Sequence, residues 1–112
     1  MINKKYKLNL KEYPNFFHQF IKIQSNYFLF FYRKSSQKYP LINIIVPKKN
    51  IKKKVERSLI KRRIYAIFRQ NLTLIPDIKI IIVILPLIYK LSYRELNTEI
   101  CQKCLSKIPK NN

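Results

Sequence analysis

The sequence is short of acidic residues and histidine, and each shortage removes a kind of chemistry. Its 112 residues include five acids, which stand singly along the chain, and one histidine, His18. A protein nuclease needs clustered carboxylates to hold metal ions, or a pair of histidines for acid–base catalysis. A single histidine on a short predicted helix supports neither a Ser/His/Asp nor a Cys/His arrangement. We therefore expect no catalytic residues, and no chemistry from the protein alone.

Cysteine is scarce as well: Cys101 and Cys104 have the C-x-x-C spacing of half a zinc site. A second pair is missing and His18 is distant in the sequence, so a tetrahedral site would lack ligands. Cys104 falls on the apolar stripe of a predicted helix, which favours core packing, and we expect the protein itself to bind no metal or cofactor. Two cysteines make no secreted disulfide framework. The polar, basic N-terminus indicates no secretory signal, so we expect a reduced cytoplasmic protein.

Glycine and tryptophan are absent, whereas isoleucine, lysine, asparagine, tyrosine and phenylalanine are abundant. The favoured residues have AT-rich codons, so mutational bias explains part of the lysine content. It does not explain why Arg57, Arg62, Arg63 and Arg69 occur together.

Long hydrophobic runs are missing too. The best membrane candidate, residues 78–89, is about half the ~20 residues that a spanning helix needs. Lys79 and Pro86 also interrupt it. A buried strand is the better interpretation, because its apolar residues are continuous, as in a strand covered on both faces.

What the chain does have is positive charge, with 24 basic residues against five acids and a formal net charge of +19. Residues 48–69 alone contain ten lysines and arginines and a single acid, Glu56. A fold with this charge repels itself, so it should be least stable alone and at low salt. RNA or DNA is the natural partner because binding to phosphates releases condensed counterions. An anionic membrane surface is the weaker alternative.

The hydrophobic pattern predicts a single α+β domain, a small sandwich with helices on one side of a sheet. Its order is helix, strand, strand, helix, strand, helix, and residues 1–11 form a mobile basic lead-in. The first helix starts near Pro14 and includes the apolar residues through Ile23. A polar turn occupies residues 33–39, and Pro47 closes the second strand. The predicted strands are residues 26–32, 41–46 and 78–85.

The two later helices have recognisable faces. In the basic helix, Ile60, Ile64 and Ile67 point to one side, while Arg62 and Arg69 lie nearly opposite. In the last helix, Ser92 and Glu95 make a capping box, and Pro109 ends the helix. Its apolar stripe consists of Leu96, Ile100, Cys104 and Leu105.

Aromatic residues leave two alternatives open. Strand alternation places Tyr27, Leu29 and Phe31 on one face and Phe28, Phe30 and Tyr32 on the other. Aromatics among basic residues are either core or a surface on which single-stranded RNA stacks. Because both faces of this strand are aromatic, one face is a candidate for ligand binding. The same two alternatives apply to Phe16 and Phe20.

The segment IIVPKKNIKKKVERSLIKRRIYAIFRQN, residues 44–71, resembles the bacterial ribonuclease P protein subunit. That family shows an apolar strand ending in a lysine pair, then an Arg-Asn-Arg pattern, Ile-Lys-Arg and a closing Phe-Arg. Here these pieces are Lys48-Lys49, Arg57-Ser58-Leu59, Ile60-Lys61-Arg62 and Phe68-Arg69. Downstream, DIKIIIVILPLIYKLSYRELNTEICQKCL resembles the family's next strand, turn and last helix. Ser58 and Leu59 depart from the pattern, and Lys54, Arg62 and Arg63 are candidates to compensate.

The resemblance implies a fold of the ribosomal protein S5 domain 2 type with a left-handed βαβ crossover. It also implies a protein subunit that assists a catalytic RNA in removing the 5′ leader from precursor tRNA. Phe16, Phe20 and Phe31 would line the leader cleft, and Mg²⁺ would be held mainly by RNA phosphates. The basic loop and helix would bind RNA through Lys48, Lys49, Lys52, Lys53, Lys54, Arg57, Lys61, Arg62, Arg63 and Arg69.

Two other functions fit the same composition. A ribosomal or general structural RNA-binding protein is equally small and basic. A surface-bound membrane peptide would need a broad apolar helix face and little other structure, and the predicted strands argue against it.

Overall fold

The computed structural model describes residues 6–35, 39–72 and 75–108, which form a small α+β fold around a four-stranded sheet. The elements are α1 (Phe16–Gln19), β1 (Ile21–Gln24), β2 (Phe28–Lys34), β3 (Leu41–Ile45), α2 (Lys54–Gln70), β4 (Ile78–Ile84) and α3 (Tyr93–Thr98). Short 3₁₀ turns lie at Leu10–Glu12 and Pro86–Lys90. After α3 the chain continues as a π-helical segment, Glu99–Cys104, and a last 3₁₀ turn, Leu105–Lys107.

The sheet has the strand order β1-β2-β4-β3 and contains two kinds of pairing. β1 and β2 form an antiparallel hairpin, and β2 also pairs antiparallel with β4. β3 pairs parallel with β4, which requires the chain to cross over between them, and α2 is that connection. The resemblance implies this βαβ connection, and the left-handed sense of its crossover stays a prediction.

Strand β4 is covered on both faces, as its continuous apolar sequence predicts. Ile80, Ile82 and Ile84 belong to the larger core cluster, whereas Ile81 and Val83 belong to a second cluster on the opposite face. None of the helices among the described residues is long and apolar enough to cross a bilayer. The apolar run that was the best membrane candidate, residues 78–89, consists of the central strand β4 and most of the following 3₁₀ turn.

Helices α2 and α3 cover one face of the sheet, which we call the helical face. The predicted inward side of α2 is confirmed, because Ile64 and Ile67 are fully buried, Ile60 is half-buried, and Arg62 and Arg69 are exposed. The predicted stripe of the last helix is also confirmed, with Leu96, Ile100 and Cys104 buried in the same cluster.

The capping box at the start of α3 is confirmed by both of its hydrogen bonds. The Ser92 hydroxyl accepts from the Glu95 backbone N–H at 3.2 Å, and the Glu95 carboxylate accepts from the Ser92 N–H at 3.0 Å. These bonds satisfy two backbone donors that the first turn of a helix leaves unpaired. Pro109, predicted to end this helix, lies outside the described residues.

The predicted first helix was wrong in extent. Helix α1 stops at Gln19, and Ile21–Gln24 forms strand β1 in place of further helical turns. The reason is that apolar and polar residues alternate over residues 21–24, as in a strand. In the structure Ile21 pairs with Tyr32 and Ile23 pairs with Phe30 of β2. The other strands agree with prediction to within two residues. β2 runs through Lys34 into the predicted turn, of which residues 36–38 lie outside the described part of the chain.

The prediction of helices on one side only also needs correction. Within the N-terminal segment, residues 6–20, Leu8, Phe16 and Phe20 cover the opposite face of the sheet, which we call the aromatic face, whereas Tyr6 packs against the larger cluster. Residues 6–11 are therefore not a mobile lead-in as predicted. Leu8 is buried, its N–H donates to the Ile42 carbonyl at 3.0 Å, and the Asn43 side chain donates to the Leu8 carbonyl at 2.8 Å. The exposed edge of β3 offers these backbone partners. Residues 1–5 lie outside the described residues.

Candidate nucleic-acid interface

The loop before α2 is pinned to the sheet, so its lysines are held outward. The backbone N–H groups of Asn50 and Ile51 donate to the Pro47 carbonyl at 3.0 and 3.1 Å. The Asn50 side chain donates to the Ile84 carbonyl at 2.8 Å, and Ile51 is fully buried. These contacts leave four exposed lysines on the outer side of the loop: Lys48, Lys49, Lys52 and Lys53.

Arg57 has a structural role that the sequence does not reveal. One guanidinium nitrogen, Nη1, donates to the carbonyls of Ile51 and Lys52 at 2.9 and 2.7 Å, which ties the loop to the first turn of α2. Its side chain is half-buried as a result. The predicted RNA contact of Arg57 stays a prediction. Its observed hydrogen bonds hold the loop that carries the neighbouring lysines.

The other predicted basic residues are exposed along α2. Lys54, Lys61, Arg62, Arg63 and Arg69 all face solvent. Glu56, the one acid of this stretch, accepts a hydrogen bond from the Tyr89 hydroxyl. In the part of the chain that the structure describes, the single ion pair joins Lys103 to Glu99, outside this stretch. The cations of the loop and of α2 therefore form a surface without internal neutralisation, which we call the basic surface.

A groove of about 420 Å³ lies on the basic surface. Helix α2 forms one wall, and Lys7 and strand β3 form the other. Lys61 and Arg62 line it from α2, and Lys7 lines it from the N-terminal segment. Neutral hydrogen-bonding groups complete it, among them Ser58 and Tyr65. Burial raises the pKa of the Tyr65 phenol, so Tyr65 stays protonated at neutral pH and can donate. Sequence reasoning missed Lys7, because its place depends on the packing of Leu8.

The three predicted cleft residues lie together on the aromatic face. Phe16 and Phe20 are 8% and 7% exposed, and Phe31 is 1% exposed. The Phe16 and Phe31 rings meet edge to face, with centroids 5.1 Å apart. All three therefore pack in one cluster, as an interior layer rather than as open rings.

Phe17 is the open ring of this cluster, with 57% of its surface exposed. It stacks on Phe16 with centroids 4.3 Å apart, and its ring meets Phe31 edge to face at 5.1 Å. Sequence reasoning did not single it out. The predicted ten-residue helix gave no way to tell which aromatic side chain a single helical turn would expose.

Basic residues surround this aromatic cluster. Lys22 of β1 lies opposite Phe31, so both share the aromatic face, and Arg33 lies two residues further along β2 on that face. Both cations are exposed. Beneath them, the ammonium of Lys79 lies 4.7 Å from the centroid of the Tyr13 ring and also hydrogen-bonds its hydroxyl. The aromatic face therefore combines an exposed ring with nearby positive charge.

The cysteines and the histidine contribute to neither surface. Cys104 is buried, and burial chiefly raises its pKa to about 12, so it stays a thiol, as core packing requires. Cys101 is half-buried and hydrogen-bonds Asn97, and His18 is exposed. Among residues 6–35, 39–72 and 75–108, no three His, Cys, Asp or Glu side chains come together as metal ligands.

Comparison with known proteins identifies the family. The family model described as Ribonuclease P matches residues 2–108. The chain belongs to the ribonuclease P protein family. Among curated proteins, none matches the sequence significantly.

Solved ribonuclease P proteins share this fold. The structure is similar to the ribonuclease P protein from Thermotoga maritima in complex with 1-(4-fluorophenyl)-2-thiourea, with a TM-score of 0.82 and 23% identity over 92% of this chain and 100% of that one. It is also similar to the Staphylococcus aureus ribonuclease P protein, with a TM-score of 0.81 and 16% identity over 92% of this chain and 96% of the other. The predicted α+β fold is thereby confirmed.

Ser58 and Leu59, the two residues that depart from the pattern of the ribonuclease P protein family, lie on different sides of α2. Ser58 lines the groove with Lys7 and Arg62, where its hydroxyl is a hydrogen-bonding group. Leu59 lines a second groove and is 38% exposed. Residue 58 is therefore polar, as the resemblance leads us to expect, whereas residue 59 is apolar where the resemblance predicts an arginine.

Proposed function

We propose that this ribonuclease P protein binds the catalytic RNA through its basic surface and assists it in removing the 5′ leader of precursor tRNA. The carrying observation is that nine exposed cations of residues 48–69 occupy one loop and one helix, held there by a packed core. The chemistry belongs to the RNA subunit in this proposal, since the dispersed acids and single histidine give the protein no catalytic group.

The basic surface suits a structured RNA backbone. Its lysines offer point charges, and Arg62, Arg63 and Arg69 offer forks of donors that match phosphate oxygens. Binding releases counterions from the RNA, so affinity should fall steeply with salt. Pinning of the loop by Asn50 and Arg57 reduces the entropy lost when its lysines engage phosphates.

The aromatic face suits a single strand. Phe17 offers a stacking plane for a base, and Lys22 and Arg33 lie close enough in the sheet to meet the backbone of the same strand. The rings of Phe16 and Phe31 contact Phe17, and Phe20 packs in the same buried cluster as those two. We assign the leader to this face, with the predicted cleft residues as its floor and Phe17 as its contact surface.

The proposal also covers the metal ions of the complex and the cellular compartment of the protein. Mg²⁺ would be held by phosphates of the assembled RNA, and the protein's charge would lower the concentration needed. Two free cysteines, one of them buried, suit a reducing compartment, and we propose the cytoplasm.

Binding selectivity tests the proposal against the general RNA-binding alternative. The affinity of the protein for the cognate catalytic RNA is compared with its affinity for a ribosomal RNA fragment of equal length, at equal salt. We expect at least about a tenfold preference for the catalytic RNA. Equal affinities would favour a general structural RNA-binding protein.

A further inference from the structure

A second groove, of about 250 Å³, lies on the side of α2 that faces the turn Pro86–Lys90. Its floor is apolar, with Leu59 and Ile60 from α2 and Ile88 and Leu91 from the segment that leads to α3. Leu59 stays 38% exposed, so part of this floor is open to solvent. An apolar groove of this size holds a flat ring system.

The rim of the groove is polar and carries both signs of charge. Glu56 and Arg63 lie two turns apart on one face of α2, and Tyr89 stands across from them. Tyr89 is 58% exposed, and its hydroxyl donates to Glu56, which fixes the carboxylate at the mouth of the groove. That hydrogen bond also raises the pKa of Tyr89.

The charge around the groove indicates which class of molecule it binds. The cation Arg63 lines the rim and the exposed Lys90 follows Tyr89 in the chain, so the positive charge beside the groove favours RNA as its partner. A second copy of the chain, with a net charge of +19, is repelled. A phosphate group in the groove would meet the carboxylate of Glu56. An unpaired base, with apolar faces and a polar edge, suits both the floor and the rim.

We propose that this groove binds an unpaired guanine of the partner RNA, an inference that rests on the proposed function. A carboxylate only accepts hydrogen bonds, and guanine presents two adjacent N–H donors, the imino N1–H and the amino N2–H. Uracil, cytosine and adenine present an acceptor beside their donor, and it would face the carboxylate of Glu56. The guanine O6 atom accepts from Arg63, and the base stacks on Tyr89.

Two RNA hexamers of equal charge test the proposal, UUGUUU and UUUUUU, because their phosphate contacts cancel in the comparison. We expect the wild-type protein to bind the guanine-containing hexamer at least about fivefold more tightly, as one added base contact provides. Tyr89→Ala should abolish this preference by lowering the affinity for UUGUUU more than the affinity for UUUUUU, while the salt dependence of binding stays unchanged. Tyr93→Ala is the matched control, because Tyr93 is 38% exposed in the same region but does not line the groove.

Glu56→Gln separates recognition of the base from stacking. It should reduce the preference for UUGUUU over UUAUUU, while its urea midpoint stays near that of the wild type.

Equal wild-type affinities for all hexamers, unchanged preference in Tyr89→Ala, or an equal loss for every hexamer would overturn the inference. Self-association of the wild type that Tyr89→Ala abolishes would assign the groove to a second copy instead. Stimulation of the catalytic RNA by the wild type decides the proposed function separately.

Discussion

The two faces of the sheet are covered in different ways. Among the described residues, α2 and α3 enclose a cluster of 19 buried residues on the helical face, whereas residues 8–20 enclose a cluster of six on the aromatic face. The thicker layer supplies most of the burial and turns its cations outward on a rigid helix. The thinner layer leaves Phe17 uncovered beside Lys22 and Arg33. We infer that one face stabilises the fold and displays charge for structured RNA, while the other contacts a single strand.

The largest expected effect is on stability, from Phe30→Ala in the helical-face cluster. Phe30 is fully buried, and removing such a ring costs about 3–5 kcal/mol through lost burial and a cavity. Phe17→Ala should cost less than about 1 kcal/mol, because the ring is more than half exposed. Urea unfolding at moderate salt measures both. Similar losses for the two variants would mean that the aromatic face is as much a core as the helical face.

The next effect concerns the basic surface and uses the double variant Arg62→Ala with Arg69→Ala. Both arginines are exposed on α2, so we expect weaker binding to the catalytic RNA at unchanged stability. The slope of log affinity against log salt should decrease by roughly one unit per lost phosphate contact. Lys11→Ala with Lys107→Ala removes the same charge from other elements and is the control. An unchanged slope in the arginine variant would place those arginines away from RNA.

Phe17→Ala tests the aromatic face by function rather than stability. Loss of one stacked base should cost about 1–3 kcal/mol in the affinity of the assembled enzyme for precursor tRNA, with mature tRNA unaffected. Phe20→Ala, at another predicted cleft residue, removes a buried ring, so we expect it to lower stability too. Equal losses for precursor and mature tRNA would show that Phe17 does not contact the leader.

The smallest effect is at the capping box, whose two residues line neither groove. Ser92→Ala should lower the free energy of unfolding by about 1 kcal/mol, as measured in urea, with RNA affinity unchanged. Hydrogen bonds from Ser92, its backbone N–H first, lower the pKa of Glu95. A carboxyl with a lowered folded-state pKa stabilises above its ordinary pKa and loses that contribution as pH falls. The stability difference between the wild type and Glu95→Gln should therefore shrink below pH 4.5, and a constant difference would contradict the capping role.

The sequence predicted the helical face better than the aromatic face, for a physical reason. The buried side of α2, the two-sided burial of β4 and the Ser92 cap all follow from local periodicity. Strand β1 and the packing of Leu8 depend on partners far along the chain, β2 and the edge of β3. When these distant partners are not known, the spacing of the aromatic residues predicts a helix, and the exposure of Phe17 cannot be predicted.

The basic surface shows the same limit. Its ten basic residues stand out in the sequence by their charge, and their role in RNA binding comes from the resemblance and stays a prediction. The separate role of Arg57 was not predicted. The bonds from Arg57 to the Ile51 and Lys52 carbonyls exist only when the loop folds back on α2. Likewise, Lys7 joins Lys61 and Arg62 only because the N-terminal segment packs beside β3.

Cleavage of precursor tRNA by the cognate catalytic RNA at low Mg²⁺, with and without this protein, tests the central claim most directly. We predict that the protein alone cleaves nothing and that the RNA alone is slow. Together they should remove the 5′ leader at a Mg²⁺ concentration where the RNA fails by itself. The same cleavage rate with and without the protein would contradict the proposal, as would cleavage by the protein in the absence of RNA.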